Sequence, residues 1–197
     1  MRVRLTYAAV ALTDAVLAAA GHDRTRRVTK PLLMPLLSWQ RDAPTRRALA
    51  LGGVGDVALL GRGQVAFTAG LGAFLVGHVA WVRALRDRPG TGLVRRRPEL
   101  AVPYALVLLG FNAYLWNRTG RDRFPVLVYS AALTATAVAA LDTGDPRAAL
   151  GGALFLGSDG LLALERFADV HLPAHEGLVM ASYTAAQALL AAGGSTA

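Results

Sequence analysis

Cysteine is absent from the 197 residues, so neither a disulfide framework nor thiolate chemistry is available to the chain. Charge is also scarce: 17% of residues are Asp, Glu, Lys or Arg against 54% apolar, and mean hydropathy is +0.39. A soluble domain carries about 25% charged residues, so this balance belongs to a chain that places much of its length in lipid. Aromatic residues make up only 7%. No basic stretch is interleaved with stacking aromatics, which sets nucleic acid aside as the partner behind the +8 net charge. Lysine is nearly missing, since 20 of the 21 basic residues are Arg and Lys30 stands alone. Signatures are lacking too: there is no G-x-S-x-G, no P-loop and no zincin motif, so nucleophilic serine catalysis has no support.

What is present is a series of eight apolar segments separated by polar punctuation. They run from Leu5 to Ala20, Val28 to Leu37, Ala48 to Leu60, Val65 to Val82, Leu100 to Leu115, Phe124 to Leu141, Ala148 to Leu164 and Leu178 to Ala192. Several fall short of the ~20 residues that a perpendicular helix needs to cross hydrocarbon. Neighbouring helices shelter such short segments within a bundle. The pattern predicts an all-α integral membrane helical bundle of about eight transmembrane helices, forming a single polytopic domain over residues 1–197. Seven is the fallback count, because the second segment is interrupted by Pro31 and Pro35. The first segment, between MRVR and AAAGHD, resembles a signal peptide, but Asp14 inside its apolar run favours its retention as a helix.

Helix parity then orders the polar groups by depth. With eight crossings, the chain start and the loops at 38–47, 83–99 and 142–147 share one side and carry 12 Arg, against nine basic residues opposite. That bias places both termini in the cytoplasm. Lys30 opens the second helix, Asp56 lies late in the third, Asn112 late in the fifth, Tyr129 early in the sixth, Asp159 late in the seventh and Tyr183 early in the eighth. All six therefore fall toward one membrane face.

Two stretches frame the chemistry. LGGVGDVALL at 51–60 and LGGALFLGSDGLLAL from Leu150 each place a small residue, then Asp, then an apolar run after Leu-Gly-Gly. Asp56 and Asp159 are 103 residues apart, four helices on this count, which suggests a four-plus-four internal repeat. An ionisable group inside a spanning segment is costly and faces the bundle interior or a wet cavity. The plain alternative is an Asp near a helix end that reaches interfacial water or bridges helices through Ser158 or Asn112. Paired carboxylates in a dry pocket go further, because burial and mutual repulsion separate them into a protonated acid and an ionised base.

Lys30, in VTKPLLMPLL, stands where Pro31 can begin a helix, and its ammonium can bind a phosphate headgroup, pair with an Asp or snorkel to the interface. His78, in FLVGHVAW, reads as a helix-packing or interfacial histidine. His171 and His175 have chelating spacing, but Pro173 lies between them and no third ligand is evident, so no metal is expected. Tyr183 and Gln187 share one face of the last helix at i and i+4.

TKPLLMPLL at 29–37, GDVALL at 55–60, FLVGHVAW at 74–81, FLGSDGLLALERF at 155–167 and VMASYTAAQALL at 179–190 together resemble, in order, the motifs of the YhhN family of polytopic membrane proteins. The resemblance spans nearly the whole chain. That family includes lysoplasmalogenases, so the resemblance implies hydrolysis of the sn-1 vinyl ether of a lysophospholipid. The products would be a fatty aldehyde and glycerophosphoethanolamine or glycerophosphocholine. It also implies Asp56 and Asp159 as the catalytic pair. Lys30, Asn112, Tyr129, Tyr183 and Gln187 are expected to bind substrate or support that pair, without cofactor. The setting would be the lipid bilayer, in a bacterial cell membrane; no oligomeric state follows from this pattern. The competing class is a proton- or cation-coupled transporter or lipid-binding protein using the same two Asp.

Overall fold

The computed structural model describes residues 2–39 and 41–193. Its architecture is all-helical, and each apolar segment becomes one long helix. These are α1 (Arg2–Ala19), α2 (Asp23–Ser38), α3 (Ala43–Ala58), α4 (Gln64–Arg86), α5 (Val102–Leu115), α6 (Arg123–Asp142), α7 (Pro146–Ala168) and α8 (His175–Ala191). A helical turn at Leu93–Arg96 and 3-10 turns at Pro98–Ala101 and Gly120–Asp122 fill the connections around α5.

Four stretches are long and apolar enough to cross a membrane: Gln64–Arg86, Pro98–Leu115, Gly120–Asp142 and Pro146–Ala168, which contain α4, α5, α6 and α7. Helices α2 and α3 have 16 residues each and α8 has 17, about 24–26 Å at 1.5 Å per residue, against about 30 Å of hydrocarbon. The outer surface is nonetheless apolar on the remaining helices as well: Leu5, Leu12 and Val16 of α1, Val28 and Leu32 of α2, Val54 and Val57 of α3 and Leu178 of α8 are exposed. So broad an apolar exterior suits lipid and not water. The chain is built as a multi-pass membrane protein.

Short loops make sequential helices antiparallel neighbours. Asp42 accepts from Thr45 N at 2.8 Å to cap α3, and Asp145 accepts from Arg147 N at 2.9 Å to cap α7, each followed by a proline in the first turn. These caps satisfy amides that no intrahelical carbonyl reaches. Packing then closes a ring: α1 on α2, α2 on α3, α3 on α4, α4 on α6, α6 on α7, α7 on α8, and α8 back on α1. Helix α5 packs on α6 from outside that ring. Because α1 and α5 occupy unlike places, a helix-for-helix match of the two halves fails at that pair. The triplets α2-α3-α4 and α6-α7-α8, each centred on an Asp-bearing helix, do share one neighbour order.

The second helix departs from expectation. Lys30 does not open it; α2 begins seven residues earlier, at Asp23, and both Pro31 and Pro35 lie in its interior. Interior prolines remove two backbone bonds and cost about 3 kcal/mol apiece in isolation. Here Leu33, Met34 and Leu37 are buried against the core, which offsets that cost.

Candidate functional site

The two Asp reach the bundle interior through close helix contacts made possible by small residues. A Cβ on Gly55 would lie 2.6 Å from the Phe74 ring, so only glycine lets that ring settle against α3 beside Asp56. Phe74 in turn stands edge-on to Tyr183, with centroids 6.0 Å apart. On the other side, a Cβ on Gly152 would lie 2.8 Å from Ala137 Cα, so α6 and α7 touch almost backbone to backbone. The helices are antiparallel, and about two turns from that contact Tyr129 of α6 meets Asp159 of α7 and donates a short hydrogen bond to it. Gly55, just before Asp56, and Gly152, in the Leu-Gly-Gly ahead of Asp159, thus set the approach of a neighbouring helix on each side.

Asp56 is buried at 2% exposure. Its Oδ1 lies 3.5 Å from Lys30 Nζ, and its Oδ2 accepts from the Tyr183 hydroxyl at 2.8 Å. Asp159 is half-buried and has neutral partners: the Tyr129 hydroxyl on one oxygen and the Ser158 hydroxyl, at 3.3 Å, on the other. His78 lies behind Tyr129, its Nε2 3.3 Å from that phenol and its Nδ1 3.1 Å from Thr136 Oγ1. The rings of Tyr183 and Phe155 (5.5 Å), then Phe155 and His78 (4.8 Å), then His78 and Tyr129 (5.3 Å) form an aromatic partition linking the two Asp partners.

Both Asp, with Lys30, Asn112, Tyr129 and Tyr183, line one cavity of about 860 Å³. Its walls are apolar, with Leu71, Phe74, Phe111, Leu133 and Met180 among them, and Arg26, Arg27, Arg62 and Arg166 stand toward the end where α2 and α4 begin and α7 finishes. Asp23, Glu165 and Glu176 line the cavity with them, and Arg26 is paired to Glu176 at 2.6 Å, so the rim carries both charges; an apolar chamber with a few convergent polar groups and a charged rim suits an amphiphile with a polar head.

Six of the seven residues expected from sequence therefore share this cavity, and helix parity placed them correctly relative to one another. Asn112 lines it but serves α6: its Nδ2 donates to Ser130 Oγ at 2.9 Å and to the Leu108 carbonyl at 2.8 Å. Gln187 does not line it. That side chain is buried one turn past Tyr183; its amide lies close enough to the Tyr183 hydroxyl to act on it, but among the described residues neither amide atom meets a partner at hydrogen-bonding geometry. His78, read from sequence as a packing residue, is buried at 1% exposure and holds Tyr129 and Thr136. His171 and His175 take separate partners, the Asp169 carbonyl at 3.2 Å and the Leu161 carbonyl at 3.0 Å.

The structure adds a group that sequence reasoning passed over. Asp14 of α1, fully buried, accepts from Thr29 Oγ1 at 2.5 Å and lies 3.8 Å from Arg26 Nε. Arg26 spans onward to Glu176 of α8 at 2.6 Å. The available signal was Arg26 and Lys30 at i and i+4, which puts two cations on one stripe of α2.

Two mycobacterial proteins named lysoplasmalogenase, from Mycobacterium bovis and Mycobacterium tuberculosis, are each 33% identical over 136 residues, 65% of this chain and 51% of the relative. The chain thus spans about half the length of the curated relatives it matches. No solved structure matches. The profile of the YhhN family matches residues 25–194, from the basic first turn of α2 to just past the end of α8, and the chain belongs to that family.

Proposed function

We propose that this protein is a lysoplasmalogenase-like vinyl ether hydrolase that works within the membrane by general acid and base catalysis from Asp159 and Asp56. The observation that carries the proposal is that the two carboxylates, from two different helices, face one amphiphile-sized cavity while having unlike partners. The Lys30 ammonium favours the ionised form of Asp56, which makes Asp56 the base. Asp159, whose hydrogen bonds among the described residues come from the hydroxyls of Tyr129 and Ser158, is the group suited to hold a proton.

The reaction balances within the pair. Asp159 gives its proton to the β-carbon of the vinyl ether, forming an oxocarbenium ion. Asp56 removes a proton from the water that attacks that cation, giving a hemiacetal. In the second half Asp56 returns its proton to the departing glycerol oxygen as Asp159 takes the hemiacetal hydroxyl proton, releasing aldehyde and alcohol and restoring both side chains. Two carboxyls flanking an oxocarbenium-like transition state is the logic of glycoside hydrolysis. The tail lies against Leu71, Phe111 and Leu133, and the phosphate meets the arginines at the rim. Lys30 and Tyr183 hold the base, and Tyr129 holds the acid.

In this reading all eight helices form one polytopic domain that crosses a bacterial cell membrane, with both termini cytoplasmic, and the two Asp motifs descend from a duplicated unit. Fatty aldehyde release from lysoplasmenylethanolamine by the purified, folded protein tests the function. Aldehyde from wild type and its loss in folded Asp56→Asn and Asp159→Asn proteins is the expected result. Substrate recovered intact from wild type would remove the hydrolase assignment and leave lipid binding or transport by the same cavity.

A further inference from the structure

A second cavity, of about 830 Å³, lies at the opposite end of the bundle between α1, the end of α2 and α8, with α7 contributing its first turn. Its floor is apolar or small: Ala8 and Ala11 of α1, Leu36 and Leu37 of α2, Ala185 and Ala188 of α8. The Tyr7 hydroxyl is tied to the Thr184 carbonyl at 2.7 Å, so that ring is fixed as part of the wall. Four guanidinium-bearing residues, Arg2, Arg4, Arg41 and Arg147, line the same cavity, and no acidic residue among the described residues does.

The nearest acids in sequence stand at the helix starts: Asp42, next to Arg41, and Asp145, two residues before Arg147, accept from the amides of Thr45 and Arg147 and do not line the groove. Arg41 is itself buried at 8% exposure. Burial first, and then the nearby Arg4, pull its guanidinium below its ordinary value, with Asp42 offsetting this in part. Like charges gathered over an apolar groove are stabilised by an anion that brings its own apolar part. A basic pocket between membrane helices is suited to a phospholipid head group. Trp39, exposed beside the groove, supplies the interfacial aromatic that marks the head-group level.

We propose that this groove is a binding site for an anionic phospholipid of the leaflet facing the α1 start, its phosphate on Arg4, Arg41 and Arg147 and an acyl chain laid between α1 and α8. The site is separate from the Asp cavity and does not depend on the reaction assigned there.

The test is lipid retention by the full-length, detergent-purified protein, measured by native mass spectrometry with dioleoylphosphatidylglycerol and dioleoylphosphatidylcholine. Phosphatidylglycerol should be retained preferentially, and each of Arg4→Gln, Arg41→Gln and Arg147→Gln should weaken it about fivefold, from roughly 1 kcal/mol per basic residue. Arg118→Gln, which removes a cation from the other face, should leave retention unchanged. Equal retention of the two lipids, or no response to the three substitutions together, overturns the proposal. Displacement by inorganic phosphate at equal concentration also overturns it, by showing a free-anion site. If the triple variant fails to fold, Arg147→Gln, on an exposed first turn, decides by itself.

Discussion

The two walls of the Asp cavity are each built from three helices yet treat their carboxylates differently. On the wall made by α2, α3 and α8, Asp56 is buried with an ammonium and a phenol. On the wall made by α4, α6 and α7, Asp159 is half-buried with hydroxyls as its partners, and the His78 imidazole stands behind Tyr129. A buried carboxylate beside a cation is held charged, whereas one served by neutral donors can keep a proton. The contrast teaches that two Asp set in loosely similar sequence stretches acquire different surroundings from what the adjacent helix carries: Lys30 on α2 in one case, Tyr129 on α6 in the other.

The strongest way to break this comparison is to remove each carboxyl charge. Asp159→Asn and Asp56→Asn should each lower aldehyde release by about 10²–10⁴-fold, the usual worth of general acid or base catalysis. A rate retained in either variant would strike that residue from the mechanism. Next comes the asymmetry itself. Lys30→Met leaves Asp56 without its cation, and should cost about a hundredfold in rate, in the range of a lost electrostatic group. It should also cost about 3–5 kcal/mol in stability as a broken buried pair, read by thermal unfolding in detergent.

Tyr129→Phe is milder, with about a tenfold loss in rate expected from one lost hydrogen bond. Equal effects of Tyr129→Phe and Tyr183→Phe would blunt the distinction between the walls. Gly152→Ala acts on packing alone. Its Cβ would meet the Ala137 backbone at 2.8 Å, and a loss of about 1–3 kcal/mol in stability should follow, checked by the same unfolding measurement. The smallest effect belongs to Gln187→Leu. It removes a buried amide that lacks hydrogen-bond geometry, so stability should hold or rise by about 1 kcal/mol, with activity unchanged within about threefold.

Much of this was legible in the chain. The eight apolar segments became eight helices because apolar runs of that length have few other ways to satisfy their backbone in lipid. Depth followed from parity, which is why Lys30, Asp56, Asn112, Tyr129, Asp159 and Tyr183 meet in one cavity. Asn112 and Gln187 were harder. A side-chain amide finds its partner through the rotation of its helix, and rotation depends on packing that no single helix encodes. The start of α2 was misplaced because Asp23–Arg27 is charged and so falls outside an apolar segment, although charged residues continue a helix readily.

By itself, then, the sequence determined the helices, their alternation of direction and the level at which each polar residue lies, since hydrophobic length and the 1.5 Å rise per residue are local properties. Only the tertiary structure decided which side chain stands next to which. It closed the seven-helix ring and left α5 outside, matched Lys30 to Asp56 and Tyr129 to Asp159, and gathered Arg4, Arg41 and Arg147 around one groove. Those placements bring together residues far apart in sequence, as many as 143 positions for Arg4 and Arg147, which line one groove. Around the Asp cavity they depend on the close approach of helices that Gly53, Gly55 and Gly152 permit, a property of two surfaces fitting together and not of either segment alone.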